Sequence, residues 1–425
     1  MTILIKNGRL IDPANNLDDV RDILLEGERI SRIDSRLDLK ADYVIEAKDR
    51  IVMPGIVDMH VHLREPGRED KETVESGTRA ALKGGVTSVL AMPNTLVAID
   101  CIENIRLLQD IISRTAQANV FIAAAITQGR RGCQLTDIKG LKMQGAVAIS
   151  DDGLSVDNDD LMFEALKKAK ENGILVICHS EDKLLSGQGV VNLGFVSTRL
   201  GLRGISRESE YRRLERDIRL AEKADAAVHI AHVSCRESVE IIARAKKRGV
   251  RVSCETAPHY FALTEDEVSG YDTNMKMNPP LRGRDDTEAV RQGLRDGTID
   301  AIASDHAPHT ANEKDVEFDS AEFGVVGLET ELAVCLTELA QPGLLSWPEL
   351  AKKLSLNPAR ILGIDKGTLT VGKDADIVIM DPDKEWVVKK EGFVSKSKNS
   401  AFLGRRMKGA VEYTICAGKI AYQNI

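Results

Sequence analysis

Positive charge is in deficit in this chain. Lys and Arg number 58 against 66 Asp and Glu, a formal net charge of −8. Neutralising phosphates takes a clustered basic excess, so a nucleic-acid partner is excluded. No apolar run approaches the ~18 residues that a membrane helix needs. The opening residues, MTILIKNGRLIDP, hold no cationic stretch leading into a long apolar run, so no signal peptide is expected. The seven cysteines (Cys101, Cys133, Cys178, Cys235, Cys254, Cys335 and Cys416) are odd in number, scattered, and form no Cys-x-x-Cys. That argues against a disulfide framework or a cysteine zinc site, and for small buried hydrophobes in a reducing cytoplasm. Histidine is scarce, with 8 in 425 residues.

What is present is enough to build a large core. Hydrophobic residues make up 43% and charged residues 29%, which excludes global disorder. The length suits two or three ordinary domains of ~150 residues. It suits equally one (β/α)8 barrel of ~250 residues with an appendage. Both ends read as alternating β text. ILIKNGRLID, DILLEGERISRID and DYVIEA lie in one, and DADIVIMDP, EWVVKK and VEYTICAGKIAYQ in the other. The expectation is a small composite β-sandwich domain from 1–53 plus 366–425.

The middle, 54–365, repeats a different unit. Apolar runs of strand length fall at 55–62, 86–92, 120–126, 146–150, 174–179, 227–232, 250–255 and 299–305. Continuous apolar strands belong to sheets buried on both faces. Between them, LMFEALKKAKENG, ESVEIIARAKKRGV and DTEAVRQGLRDG carry helical periodicity and end near Gly. Eight strand-then-helix units predict an α/β fold, a (β/α)8 TIM-type barrel. The weakest unit is the third, whose helix around 136–143 is short. A doubly wound open sheet is the alternative, but no Gly-x-Gly-x-x-Gly follows any of these strands.

Active sites of such barrels sit at the C-terminal ends of the strands. All eight histidines fall there. His60 and His62 share one face at the end of the first run, and Asn94 follows the second. Asp151 and Asp152 end the fourth, and His179 ends the fifth. His229 and His232 end the sixth, and Glu255 and His259 follow the seventh. Asp305, His306 and His309 end the eighth. Imidazole and carboxylate are what zinc and related divalent ions prefer, so this is a candidate metal site, two ions bridged by one carboxylate. Alternation turns His229 and His306 away, the first as a structural group and the second to orient its loop. It allows only one of Asp151 and Asp152 as ligand without choosing between them. Glu255 and His259 stay undecided. Asn278 could reach a ligand. Lys246-Lys247-Arg248 reads as a solvated helix face, and GRRG at 129–132 as exposed loop charge, with contact to an anion as the alternative.

PGIVDMHVHLREPG, AMPNT, SDDG, DTNMKMNPPLR and IASDHAPHT, with EFGVVGLET and NPARILG, closely resemble the dihydroorotase family, class I bacterial type, within the amidohydrolase superfamily. The likeness spans essentially the whole chain. It implies reversible, zinc-dependent cyclisation of N-carbamoyl-L-aspartate to (S)-dihydroorotate in pyrimidine biosynthesis, with one or two ions per chain. By matching motif positions, His60 and His62 would hold one zinc with Asp305 nearby, and His179 and His232 the second. Asp152 would bridge them. A bridging hydroxide would be the nucleophile and Asp305 the general acid/base. Arg64, Asn94, Asn278 and His309 would bind substrate, with His62 beside it and backbone contacts from Phe323 and Gly324. The polar loop 310–324 is a candidate cover.

Dihydropyrimidinase, hydantoinase and allantoinase are the nearest competitors. They typically bridge their metals with a carboxylated lysine at the end of strand four, where this chain reads GAVAISDDG. Ser180 stands where many relatives have Cys. Some relatives have lost their ligands and serve only as scaffolds for aspartate transcarbamoylase, but this chain keeps every expected ligand. A complex with that enzyme, or a homo-oligomer, is carried as an expectation about partners.

Overall fold

The computed structural model describes residues 1–424. Eight inner strands form where the apolar runs lie: Ile56–Val61, Val86–Ala91, Asn119–Ala124, Ala146–Ile149, Leu175–Cys178, Val228–Ile230, Val252–Thr256 and Ala301–Ile302. They are called here the first to eighth barrel strands. Each pairs in parallel with the next. The ring is completed just beyond the eighth strand. There His306 bridges to Val61, and its carbonyl accepts the His62 N–H at 2.9 Å.

Burial on both faces explains why these strands read as unbroken apolar text. Ile122, Ala124, Val176, Cys178, Val228 and Ile230 belong to the core against the helices. Met59, Leu90, Ala123, Ala148, Ile177, Ala231 and Ala301 instead meet one another, with Ala359 and Leu362 of the helix Asn357–Leu362. This second set fills the barrel interior, and small residues dominate where eight strands converge. The third helix is Ile138–Met143, short as the sequence suggests and capped by Asp137. The fourth, Asp159–Asn172, starts on the Asn158 cap and ends at Gly173, whose φ of 60° provides the left-handed stop.

The two ends of the chain build one connected sheet. Its strands are Thr2–Asp12, Leu17–Glu26, Arg29–Asp34, Tyr43–Glu46, Ile51–Pro54, Ile377–Val387, Arg406–Cys416 and Lys419–Gln423. Thr2–Asp12 carries Tyr43–Glu46 on its first half and Ile51–Pro54 on its second, past a bulge between Ile5 and Gly8. Ile23, Ile30, Val52, Ile377 and Ile415 share one core, so the sheet closes its apolar face on itself. Between Ile377–Val387 and Arg406–Cys416 the chain leaves this sheet. Residues 395–399 lie against barrel loops, where Ser397 Oγ donates to the Lys71 carbonyl at 2.7 Å.

Candidate active site

Alternation along each strand decides which side chains reach the barrel mouth. In the fifth strand Ile177 points inward, and His179 follows two residues later. In the fourth, Ala148 points inward, so Asp152 does too, four residues on. Asp151 faces the other way. Its carboxylate accepts the backbone N–H groups of Ile126 and Thr127 at 2.8 and 3.0 Å. This resolves the pair: Asp151 braces a neighbouring loop and Asp152 enters the site.

His232 reaches the site by breaking the pattern, since Ala231 is the inward residue of its strand, whereas Asp305 follows inward Ala301 and Ala303 and keeps it. The φ angles of His232 and Asp305 are +37° and +47°, and Arg64 has +61°. Left-handed backbone at non-glycine residues costs energy and persists where the surroundings enforce it, often at functional sites.

The side chains converge closely. Asp152 Oδ1 lies 3.1 Å from His60 Nε2, 3.7 Å from His179 Nδ1 and 3.9 Å from His232 Nε2. Asp152 Oδ2 lies 3.5 Å from His62 Nε2. Asp305 Oδ1 is 3.3 Å from His62 Nε2 and 3.8 Å from His60 Nε2. His179 Nδ1 and His232 Nε2 are 2.8 Å apart. Two triads have ligand atoms close enough to share an ion: His60, Asp152 and His232, and His60, His62 and Asp305.

Three histidines have their outer nitrogen committed to an acceptor. His60 Nδ1–H donates to Glu255 Oε1 at 2.7 Å, and His62 Nδ1–H to Asn94 Oδ1 at 2.8 Å. His179 Nε2–H donates to Glu181 Oε2 at 3.3 Å. With a metal bound each bond would fix the tautomer, leaving the other nitrogen's lone pair for an ion beside Asp152. His60 Nε2 and Asp152 Oδ1, both buried, make no hydrogen bond despite their proximity. Two ligands on one tetrahedral zinc sit about 3.3 Å apart, so the donor set fits a metal.

Charge leads to the same place. Burial alone would lower the His60 imidazole, but Asp152, Glu255 and Asp305 hold it well above the ordinary value. Burial alone would raise Asp152 and Asp305, but the surrounding histidines hold both well down. Glu255 is likewise held at about 2 against its burial, by His229 and His60. Buried carboxylates in such number need compensating cations.

His229 supports the site from behind, with Nδ1 2.8 Å from Ser253 Oγ and Nε2 3.3 Å from Glu255. His306 is pinned at both nitrogens. Its Nδ1 accepts from the Gly327 N–H at 3.2 Å, and its Nε2 faces Glu72 at 3.3 Å. His259 stands apart against Tyr260, held near 4 by burial and so neutral.

A second cluster lies beside the first. Arg64 Nε donates to the Pro308 carbonyl at 3.1 Å, and its Nη2 faces His309 Nε2 at 3.3 Å. Lys71 Nζ donates to His309 Nδ1 at 3.1 Å. The other imidazole nitrogen therefore carries the hydrogen and donates to the Phe323 carbonyl at 2.8 Å. Burial, with Arg64 and Lys71 alongside, drives His309 down to about 2, so it is neutral. Burial also lowers Arg64, to about 10, which leaves it charged at neutral pH. Arg64 Nη2 thus faces a hydrogen that the Phe323 carbonyl already takes, and an anionic oxygen arriving beside Arg64 would compete with that carbonyl for it. Asn278 is held by Glu181 at 3.0 Å, and Asn94 Nδ2 donates to Asp152 Oδ2 at 3.3 Å. The Gly324 N–H is spent on the Lys276 carbonyl. The loop is tied down by Lys314 on the carbonyls of Glu322 and Gly324, and by Lys276 on those of Phe318 and Asp319.

Sequence reasoning passed over Glu181, Glu72, Lys71 and Asn399. Only Glu181 left a local signal, two residues past His179 and so on the same face.

Known proteins match this chain in sequence along its full length. A dihydroorotase of Elusimicrobium minutum is 51% identical over 424 residues, spanning 100% of this chain and 98% of that protein. A dihydroorotase of Geobacter metallireducens is 51% identical over 427 residues and 100% of both. The chain belongs to the dihydroorotase family. A dihydro-orotase-like model matches 49–238 and an amidohydrolase family model 221–422. The family's members are metal-dependent amidohydrolases, and this chain is an enzyme of that class acting on a small molecule. The solved L-hydantoinase (dihydropyrimidinase) of Arthrobacter aurescens superposes with a TM-score of 0.89 at 26% identity, covering 98% of this chain and 95% of that one. A D-hydantoinase of Thermus sp. shares the fold with a TM-score of 0.85 at 24% identity, covering 99% and 95%. The dihydroorotase family and the hydantoinases thus share one fold, and side chains at the mouth must separate their substrates.

Proposed function

We propose that the site interconverts N-carbamoyl-L-aspartate and (S)-dihydroorotate, in de novo pyrimidine synthesis, with zinc as the metal. The observation carrying this is Asp152. It lies among His60, His62, His179 and His232, at the end of a strand without lysine. His60, His62 and Asp305 would hold one ion, His179 and His232 the other, and Asp152 both. Bound metal would supply an acidified water and polarise the amide carbonyl.

The chain's own residues do the rest. Asp305, held ionised by the neighbouring histidines, accepts a proton in the hydrolytic direction and returns it to the departing ring nitrogen. Cyclisation runs this in reverse. Arg64 engages the substrate carboxylate as a cation, and His309 would share its Nε2–H between that carboxylate and the Phe323 carbonyl. Asn94 and Asn278 are placed by Asp152 and Glu181 to orient the ring from either side. Phe323 and Gly324 shape the remaining wall through their backbone. The catalytic unit is 54–365, and 1–53 plus 366–425 form the composite domain.

Seven unpaired cysteines support a cytoplasmic setting. Among the described residues no helix is long and apolar enough to cross a membrane. Leu96, Val97 and Leu154 on loops, and Leu184 and Phe195 on the short helices Lys183–Ser186 and Phe195–Leu200, are exposed, which supports assembly there, with aspartate transcarbamoylase or with further copies of the chain. The test is to strip the metal and add zinc back in steps while following dihydroorotate opening. Turnover rising with one or two zinc per chain upholds the reading. Turnover that ignores zinc overturns it.

A further inference from the structure

We propose that Asn399 is a positioning residue for the carboxylate pocket, setting specificity from the C-terminal part of the chain. The inference rests on the reading that Arg64 and His309 bind the substrate carboxylate. Asn399 is 7% exposed and bonds through both ends of its side-chain amide near that pocket. Its Oδ1 accepts the backbone N–H of His309 at 3.2 Å, and its Nδ2 donates to the Gly324 carbonyl at 3.1 Å. Its own carbonyl accepts the Val326 N–H at 3.0 Å. One side chain thus joins the strand-end segment bearing His309 to the loop that covers it.

The aim of the His309 ring depends on that joint. Its Nε2–H points at the Phe323 carbonyl, so the path of the 323–324 backbone decides where the donor faces. Gly324 has φ of +123°, and a Cβ there would come within 2.6 Å of Ala307 Cβ and 3.3 Å of His309 Nε2. The loop therefore lies directly on the imidazole, and a small shift of it moves the donor. The same segment reaches the other side of the ring. Ser397 Oγ holds the Lys71 carbonyl, and Lys71 Nζ fixes the His309 tautomer. A segment lying between two strands of the terminal sheet thus tunes substrate recognition in the barrel.

The test uses the full-length, zinc-loaded enzyme and two variants. Asn399→Asp keeps the acceptor for His309 but sets a carboxylate oxygen against the Gly324 carbonyl. Asn399→Ala removes both bonds without repulsion, and carries the test if the first variant does not fold. KM and kcat for dihydroorotate, zinc content and melting temperature are read together, with His309→Ala as reference. KM is expected to rise about tenfold, as for one misplaced hydrogen bond, with kcat within about twofold and zinc content unchanged. Unchanged KM in Asn399→Ala, or a loss of kcat that merely follows melting temperature, overturns the proposal. If His309→Ala itself leaves KM unchanged, the underlying reading of the pocket fails, and this inference with it.

Discussion

At His60 one nitrogen is bonded to Glu255 and the other faces Asp152 without a hydrogen bond. Glu255 fixes the tautomer that makes Nε2 a ligand, so Glu255→Gln is expected to lower zinc affinity about 10–100-fold. Competition with a coloured chelator measures it, and unchanged affinity would remove Glu255 from the metal's support. Asp305→Asn is expected to lower kcat by about 10²–10⁴-fold, the usual worth of a proton carrier, while the far-ultraviolet spectrum stays native. Steady-state rates decide this, and an unchanged kcat would contradict the role. The histidines were legible because strand ends and two-residue spacing suffice to place them. Asp152 was separable from Asp151 only by motif likeness, since which face turns inward depends on the strand's twist and neighbours. Asn399 left no local trace, because its partners His309 and Gly324 are distant in the chain.

Among the elements, the helix Glu208–Ala224 is tied to the loop before Arg284–Asp296 by a buried ion pair. Glu210 meets Arg282 at 3.1 Å, with both side chains under 5% exposed. Ser234 and Ser238 also donate to Glu210. Burial alone would raise this carboxyl, but Arg282 and Ser234 hold it below its ordinary value. A carboxylate with a lowered folded value stabilises above its unfolded value of ~4.3, and that stability is lost as pH falls through the folded value. Glu210→Gln leaves Arg282 buried without its counterion, at a cost of about 3–5 kcal/mol near neutrality. The gap in melting temperature between wild type and variant is expected to be wide at pH 7 and to narrow below about pH 4. A gap that ignores pH would mean the pair contributes no charge-dependent stability. The barrel strands were legible as apolar runs, being buried on both faces. The small sheet of Val191–Asn192 with Gly204–Ile205 was not, because two-residue strands carry no period to read.

For the whole molecule, the (β/α)8 reading followed from strand count and spacing. The joining of both chain ends followed from their matching alternation. That the terminal segment 395–399 returns to the active site depends on tertiary packing and has no periodic signature. The overall charge of −8 opposes an anionic substrate, so recognition falls to Arg64 and His309 within the mouth. The L-hydantoinase of Arthrobacter aurescens shares this fold at a TM-score of 0.89, so fold alone does not select the substrate. The most direct measurement is therefore a side-by-side assay of the zinc-loaded chain on dihydroorotate and on hydantoin. The account predicts opening of dihydroorotate and formation of it from carbamoyl aspartate, both abolished by chelation, with hydantoin turned over poorly. Efficient opening of hydantoin with dihydroorotate left intact would contradict it.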